Sequence, residues 1–257
     1  MKLGFISDIH EDTLSLKKAI KILKSRKCDQ IICLGDLVGY SVPYFSFLES
    51  RQASQVIETI RKNCDIVVVG NHDLFVAEKI PRHKAGFKYL PNWYQLDYTK
   101  RKKSAKNKIF LYESTELPSL LDNYQIKYLR KLPEFVVKKF GSVNILLSHY
   151  AYPDLTGSNI SSINTNKDLE RHFKLMKKFD CQLSFCGHEH QEGAKIAFSD
   201  TIFSNKFGKI KIESHEPVWI SGPCVANGSF ENGVMIFDTN NFILELIPLK
   251  SKILKKM

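Results

Sequence analysis

Five short apolar runs in this chain each stop at a cluster of metal-ligating residue types. Leu3-Gly4-Phe5-Ile6 runs into Ser7-Asp8-Ile9-His10, and Gln30-Ile31-Ile32-Cys33-Leu34 runs into Gly35-Asp36. Ile66-Val67-Val68-Val69 ends at Gly70-Asn71-His72-Asp73, and Val143-Asn144-Ile145-Leu146-Leu147 at Ser148-His149. Leu183-Ser184-Phe185-Cys186 ends at Gly187-His188-Glu189-His190. Runs of four or five residues, rich in Val and Ile and without strict alternation, read as strands buried on both faces. Helical spacing lies between them: Leu14, Leu16, Ala19, Ile20 and Leu23 predict a helix over 13–23 with Asp12 as N-cap. Similar stretches cover 54–61 and 166–178. Alternating strands and helices predict an α/β sheet, whose ligands gather at the carboxyl ends of the strands. All five polar clusters fall there.

Past residue 190 the pattern changes. Val218-Trp219-Ile220, Gly233–Phe237 and Phe242–Ile247 are strand-like, with a turn at Asp238-Thr239-Asn240-Asn241 and no helix between, which predicts an antiparallel meander or hairpin. The 257 residues fit a single domain over 1–257. Within it, 74–132 separates two polar clusters by far more chain than the neighbouring gaps. It mixes Lys79, Arg82, Lys84, Lys88 and Lys100–Lys103 with Phe87, Tyr89, Trp93, Tyr94 and Tyr98, and three of its five acids follow Phe110. It reads as an inserted basic–aromatic lobe near the mouth of a site.

The formal net charge is +11, which favours anionic partners such as phosphorylated small molecules or nucleic acid, although a general preference for Lys accounts for it equally well. The six cysteines form no CxxC pair, and Met1–Ile6 reaches Ser7-Asp8 too soon for a signal peptide. No apolar stretch approaches the ~18 residues of a membrane span. A cytoplasmic location without membrane contact is the expectation.

Each cluster alone is a weak signal, since an isolated Asp-x-His is common and a lone His is more often structural. Together they place five of the eight histidines beside aspartates and an asparagine at one sheet edge, a convergence hard to accommodate without a metal. Carboxylate, imidazole and amide donors favour manganese, with iron or zinc as alternatives, over magnesium or calcium.

The ordered set Asp8-Ile9-His10, Gly35-Asp36, Gly70-Asn71-His72-Asp73, His149 and Gly187-His188-Glu189-His190 resembles the calcineurin-like metallophosphoesterase superfamily over residues 3–190. Gly35-Asp36-Leu37-Val38-Gly39-Tyr40 looks like its small bacterial and archaeal phosphodiesterase branch. The Val-Asp-Arg-Gly run of the protein phosphatases is missing. The resemblance implies a four-layer α/β/β/α sandwich of two mixed sheets and two divalent transition metals. Asp8, His10 and His190 would hold the first metal, Asp36 would bridge, and Asn71, His149 and His188 would complete the second. A hydroxide shared by the metals would attack a phosphodiester or phosphomonoester. His72 would protonate the leaving group or stabilise the transition state, with Asp73 fixing its tautomer.

Glu11-Asp12 departs from the branch's usual Gly-Asn, and an extra carboxylate there would sit beside the metals. The stretch 222–228 also departs, so substrate contacts do not carry over from relatives. His83 and His172 read as solvated surface residues, His215 stays open, and Glu189 is expected to point away. The expected partner is a small phosphorylated substrate. A nuclease acting on single strands through the basic lobe is the alternative enzyme, and a metal-binding interaction scaffold without catalysis is the alternative of another class.

Overall fold

The apolar runs become strands whose alternate residues enter different cores. A computed structural model describes residues 1–213 and 215–251. The chain begins β1 (Lys2–Ile6), α1 (Thr13–Ser25), β2 (Gln30–Cys33), β3 (Tyr40–Ser41), α2 (Ala53–Asn63), β4 (Ile66–Val67) and α3 (Asn71–Val76). Then come α4 (Tyr98–Ala105), β5 (Glu116–Leu117), α5 (Asn123–Lys131), β6 (Phe135–Phe140) and β7 (Val143–Ser148). The next elements are α6 (Glu170–Lys178), β8 (Leu183–Gln191), β9 (Ala194–Ala197) and β10 (Ile202–Asn205). β11 (Gly208–Lys211), β12 (Val218–Pro223), β13 (Gly233–Asp238) and β14 (Ile243–Pro248) complete the fold.

Two six-stranded sheets result, ordered β11-β14-β13-β1-β2-β4 and β10-β9-β12-β8-β7-β6, with β3 and β5 as a separate pair. Both are mixed: β1–β2, β2–β4, β7–β8 and β8–β12 run parallel, while β1–β13, β13–β14 and β6–β7 run antiparallel.

Three apolar layers separate four layers of structure. Phe5, Ile32, Ile145, Phe185 and Ile220 fill the space between the sheets. There Phe5 and Phe185 stack with centroids 4.2 Å apart, a contact that adds about 0.5–1.5 kcal/mol beyond its buried area. The next residue along each strand faces the other way. Ile6 joins Leu16, Leu23, Val56, Ile60 and Leu129 under the helices α1, α2 and α5, while Leu146 and Trp219 meet Phe173 and Met176 of α6. This is the four-layer α/β/β/α sandwich that the family resemblance implies. Gly4 lets α1 approach closely, because a Cβ there would sit 2.9 Å from Leu23 Cδ2.

Asp12 caps α1, its carboxylate accepting from the Ser15 N–H at 3.0 Å. Leu14, placed on the apolar face by its spacing, is instead 65% exposed. The expected C-terminal meander is only partly present. β13 and β14 form the hairpin, but β12 crosses to the other sheet, where it lies fully buried between β8 and β9. His172 is the clearest departure, for it is buried in α6 rather than solvated. The Tyr152 N–H donates to its Nδ1, so its Nε2 carries the proton and faces Ser184 Oγ at 2.9 Å.

Residues 74–132 divide between two cores. Trp93, Ala105 and Ile109 form a small cluster with Phe87, Tyr89 and Tyr94, whereas Leu129 and Leu132 join the main helix layer. β5 pairs with β3, setting Glu116 opposite Ser41. Among the described residues no helix is long and apolar enough to cross a membrane.

Candidate metal centre

The strand ends are tied together by backbone hydrogen bonds before any side chain is considered. Asp8 N–H donates to Gly35 O at 3.0 Å, Ile9 and His10 N–H both donate to Asp36 O, and Ala226 N–H donates to Asp8 O. The cost is local strain. Asp8, His10, Asp36, His188 and His190 all have φ between 46° and 71°, a region that non-glycine residues avoid and that persists where the surroundings enforce it, often at functional sites.

The side chains converge in two groups that share one carboxylate: Asp8, His10, Asp36 and His190, and Asp36, His149 and His188. Within each, the ligand atoms lie within 4.8 Å of one another. His190 Nε2 lies 3.1 Å from Asp8 Oδ1 and 3.0 Å from His10 Nε2. His188 Nδ1 lies 3.1 Å from Asn71 Oδ1, which brings the expected amide donor to the second group. His190 is about one-third exposed, while Asp8, His10, Asp36 and His149 are buried, so the first group opens to solvent.

The donor atoms fit cations. His10 Nδ1 donates to Gly39 O at 2.8 Å and His149 Nδ1 to Leu34 O at 2.7 Å, which leaves both Nε2 lone pairs facing the centre. His149 Nε2 and Asp36 Oδ2 are 3.0 Å apart, yet neither has an aligned hydrogen-bond partner. Lone-pair atoms packed this closely in a buried site call for positive charge between them.

The titration behaviour agrees at Asp8, Asp36, His10 and His188. Burial would raise Asp8 and Asp36, but His190 and His149 beside Asp8, and His149 and His72 beside Asp36, hold both well below the usual carboxylate range. Burial pushes His10 and His188 down to about 3, with His72 and His149 respectively adding to the effect. Burial works against His149 as well, but Asp36 and Asp8 lift it to about 10. The ionised carboxylates and the neutral His10 and His188 are in the forms that ligation requires, whereas His149, held protonated by those carboxylates, has to give up its proton to a bound cation.

His72 stands beside the centre, its Nε2 3.9 Å from Asp36 Oδ2 and its ring edge-on to His10. Asp73 does not orient it. Its carboxylate instead accepts the backbone N–H groups of Asp36, Leu37, Val38 and Gly70, at 2.8–3.2 Å. Asp73 therefore holds the turn that carries Asp36, because a carboxylate at the third residue of α3 points back to the free amides of the helix start. Burial and the Asp36 charge push it up to about 7 against those amides. The partner of His72 Nδ1 is Glu116 from β5, in direct contact and 2% exposed. Burial would lower His72, but Glu116 and Asp36 raise it to about 9. Gly39 makes room for this ring, since a Cβ there would fall 2.6 Å from His72 Cβ.

Sequence reasoning missed Glu116 and also Tyr112, whose hydroxyl accepts from Asn71 Nδ2 and whose ring lies 4.4 Å from that of His72. The one available signal is that three of the five acids of 74–132 follow Phe110. Glu11 does not crowd the centre, because Arg51 Nε at 2.6 Å and Gly39 N–H at 3.1 Å take its carboxylate. Glu189 turns to Lys195 at 2.5 Å. His83 is half-buried against Glu134, not free in solvent, and His215 is exposed.

Two mixed sheets with this ligand order at their strand ends define the metallophosphoesterase fold. The sequence pattern of calcineurin-like phosphoesterases matches residues 1–192, three-quarters of the chain, and the protein belongs to that family, which uses divalent metals. An uncharacterised protein of Methanocaldococcus jannaschii is 24% identical over 270 residues, covering 98% of this chain and 89% of its own. A metallophosphoesterase from Sphaerobacter thermophilus is similar in structure, with a TM-score of 0.68 and 19% identity over 98% of this chain and 89% of that one. A hypothetical protein from Pyrococcus horikoshii has a TM-score of 0.61 and 14% identity, over 98% and 88%. At such identities the structural likeness concerns the fold alone.

Proposed function

We propose that the protein hydrolyses a phosphate ester with two divalent metals, manganese first, with iron or zinc as alternatives. Asp8, His10, Asp36 and His190 would hold one, and Asp36, Asn71, His149 and His188 the other. The observation that carries this reading is the pair of ligand groups sharing Asp36, with His72 alongside. Bound there, two cations lower the pKa of a water and neutralise charge on the phosphoryl oxygens.

The chain's own residues do the rest. Leu34 O and Gly39 O fix the tautomers of His149 and His10, as the outer partners of ligating imidazoles usually do. Tyr112 orients the Asn71 amide so that its oxygen faces inward. His72 holds a proton to give to the departing ester oxygen, and Glu116 on its far nitrogen keeps it protonated and pointed. The test is hydrolysis of p-nitrophenyl mono- and diesters by chelated protein before and after addition of manganese, iron or zinc. Restoration by metal supports the reading, and equal rates in chelated protein reject it.

The exposed Lys100, Lys102 and Lys103 of α4 support a second reading, a nuclease whose substrate strand runs over that helix. It requires single-stranded binding that weakens steeply with salt.

A further inference from the structure

A cavity of about 440 Å³ opens directly over the histidine cluster. That lies within the roughly 300–1,000 Å³ of sites that enclose drug-sized ligands, and is far more than a phosphoryl group alone fills. Its walls are aromatic on two sides. Phe45 lies 4.9 Å from the His10 ring and 6.2 Å from that of His190. On the other side Phe110 and Tyr112 stack at 5.9 Å, with Tyr112 against His72 and Phe110 6.3 Å from His188. At the rim Tyr44 and Phe230 are 62% and 59% exposed.

The charge of the cavity runs opposite to that of the chain. Despite the net +11, no lysine or arginine lines it among the described residues, whereas Glu189 and Glu231 do. Of the cations nearby, Arg51 meets Glu11 and Lys195 meets Glu189, while Lys206 lines an adjoining cavity that shares His190 and Phe230. Sites for phosphate monoesters and polyphosphates generally add Arg or Lys clamps for their multiple charges, and among the described residues none lines this cavity.

Building on the phosphoesterase reading, we infer that the cavity takes a small phosphodiester with a single negative charge and an aromatic ring, aryl or nucleobase, on one arm. The ring lies between Phe45 and the Phe110–Tyr112 wall, with Phe230 at the entrance. In the reaction the oxygen of water bonds to phosphorus, one ester P–O bond breaks, and the leaving oxygen takes a proton. The products are one monoester and one alcohol.

The test compares the affinity of methyl phosphate, phenyl phosphate and adenosine 5′-monophosphate for manganese-loaded protein by calorimetry. It also compares kcat/KM for bis(p-nitrophenyl) phosphate and p-nitrophenyl phosphate. The aromatic monoesters should bind about 5- to 100-fold tighter than methyl phosphate, the range stacking on an aromatic side chain provides. An advantage of adenosine monophosphate over phenyl phosphate would assign a nucleobase, and parity an aryl group. Phe230→Ala, at an exposed position that does not threaten folding, should shrink the discrimination, and Phe230→Trp should keep it. The diester should be preferred by about tenfold or more.

Equal binding of methyl and phenyl phosphate, indifferent to Phe230→Ala, would overturn the inference. So would a preference for the monoester, or salt-sensitive binding of single-stranded oligonucleotides more than about 100-fold tighter than the mononucleotide. If no ester is hydrolysed with any metal while phenyl phosphate still outcompetes methyl phosphate, the hydrolytic reading fails and the aromatic slot stands.

Discussion

The strand-end loops and the segment 74–132 build the same site by different means. Each strand-end ligand sits within a few residues of the apolar run that positions it, and backbone bonds such as Asp8 N–H to Gly35 O lock neighbouring loops. The segment instead delivers Phe110 and Tyr112 from irregular backbone and Glu116 from β5, which pairs with β3 just beyond Asp36. The first region supplies the candidate ligand groups, and the second supplies a wall of the cavity above them and the partner of His72. The candidate ligand groups are thus encoded locally in this chain, and the groups around them at a distance.

Changes in the first region should be the more severe. Asp36→Asn strikes the carboxylate common to both ligand groups, so it should weaken both metals and reduce turnover by at least ~10³-fold. Metal analysis beside steady-state rates checks this, and two retained metals with near-normal turnover would dissolve the bridging assignment. His72→Ala should keep both metals and slow turnover by ~10²–10⁴-fold, less for a nitrophenyl ester than for an alkyl ester, because a good leaving group needs little protonation. An equal loss on both esters would leave charge stabilisation as the role of His72.

The comparison sharpens at the two carboxylates near that ring. Glu116→Gln, in the distant segment, should slow turnover by about 10- to 100-fold at unchanged metal content. Asp73→Asn, next to His72 in sequence, should act on stability instead. It removes the charged acceptor of four backbone N–H groups, at about 1.5–3 kcal/mol for a hydrogen bond to a charged group. Thermal melts and rates of the two variants should separate cleanly, and the opposite assignment would follow if Asp73→Asn melted normally but turned over slowly.

The smallest effect on turnover belongs to His172, remote from the centre. Burial depresses it from 6.5 to about 3, so below pH 6.5 the unfolded chain takes up a proton that the folded chain refuses. Stability is therefore lost as pH falls from about 6.5 towards 3, by an amount on the order of a few kcal/mol. His172→Gln should flatten that part of the curve relative to the parent protein. Identical acid limbs for the two would mean that His172 is protonated in the fold.

Much of this was legible in the sequence, because strands buried on both faces are continuous apolar runs and ligands follow them directly. The runs at 3–6, 30–34, 143–147 and 183–186 became β1, β2, β7 and β8, and the clusters after them converge. β10 and β11 carry no apolar run because both are short strands with exposed positions. β12 was placed in the wrong sheet because a three-residue apolar core specifies burial but not partner. His172 reads as surface in a Lys-rich helix, yet helical spacing sets it on the face with Phe173 and Met176. Glu116 could not be paired with His72 from sequence, since the contact spans 44 residues of chain and depends on β3–β5 pairing.

The central claim is that two metals act together in one site, and a manganese titration of chelated protein tests it most directly. Bound metal and hydrolysis of bis(p-nitrophenyl) phosphate are followed in the same samples. Two equivalents per chain, with turnover rising as the second binds, is the expected result. Saturation at one equivalent with full activity, or activity that ignores the metal altogether, would contradict it.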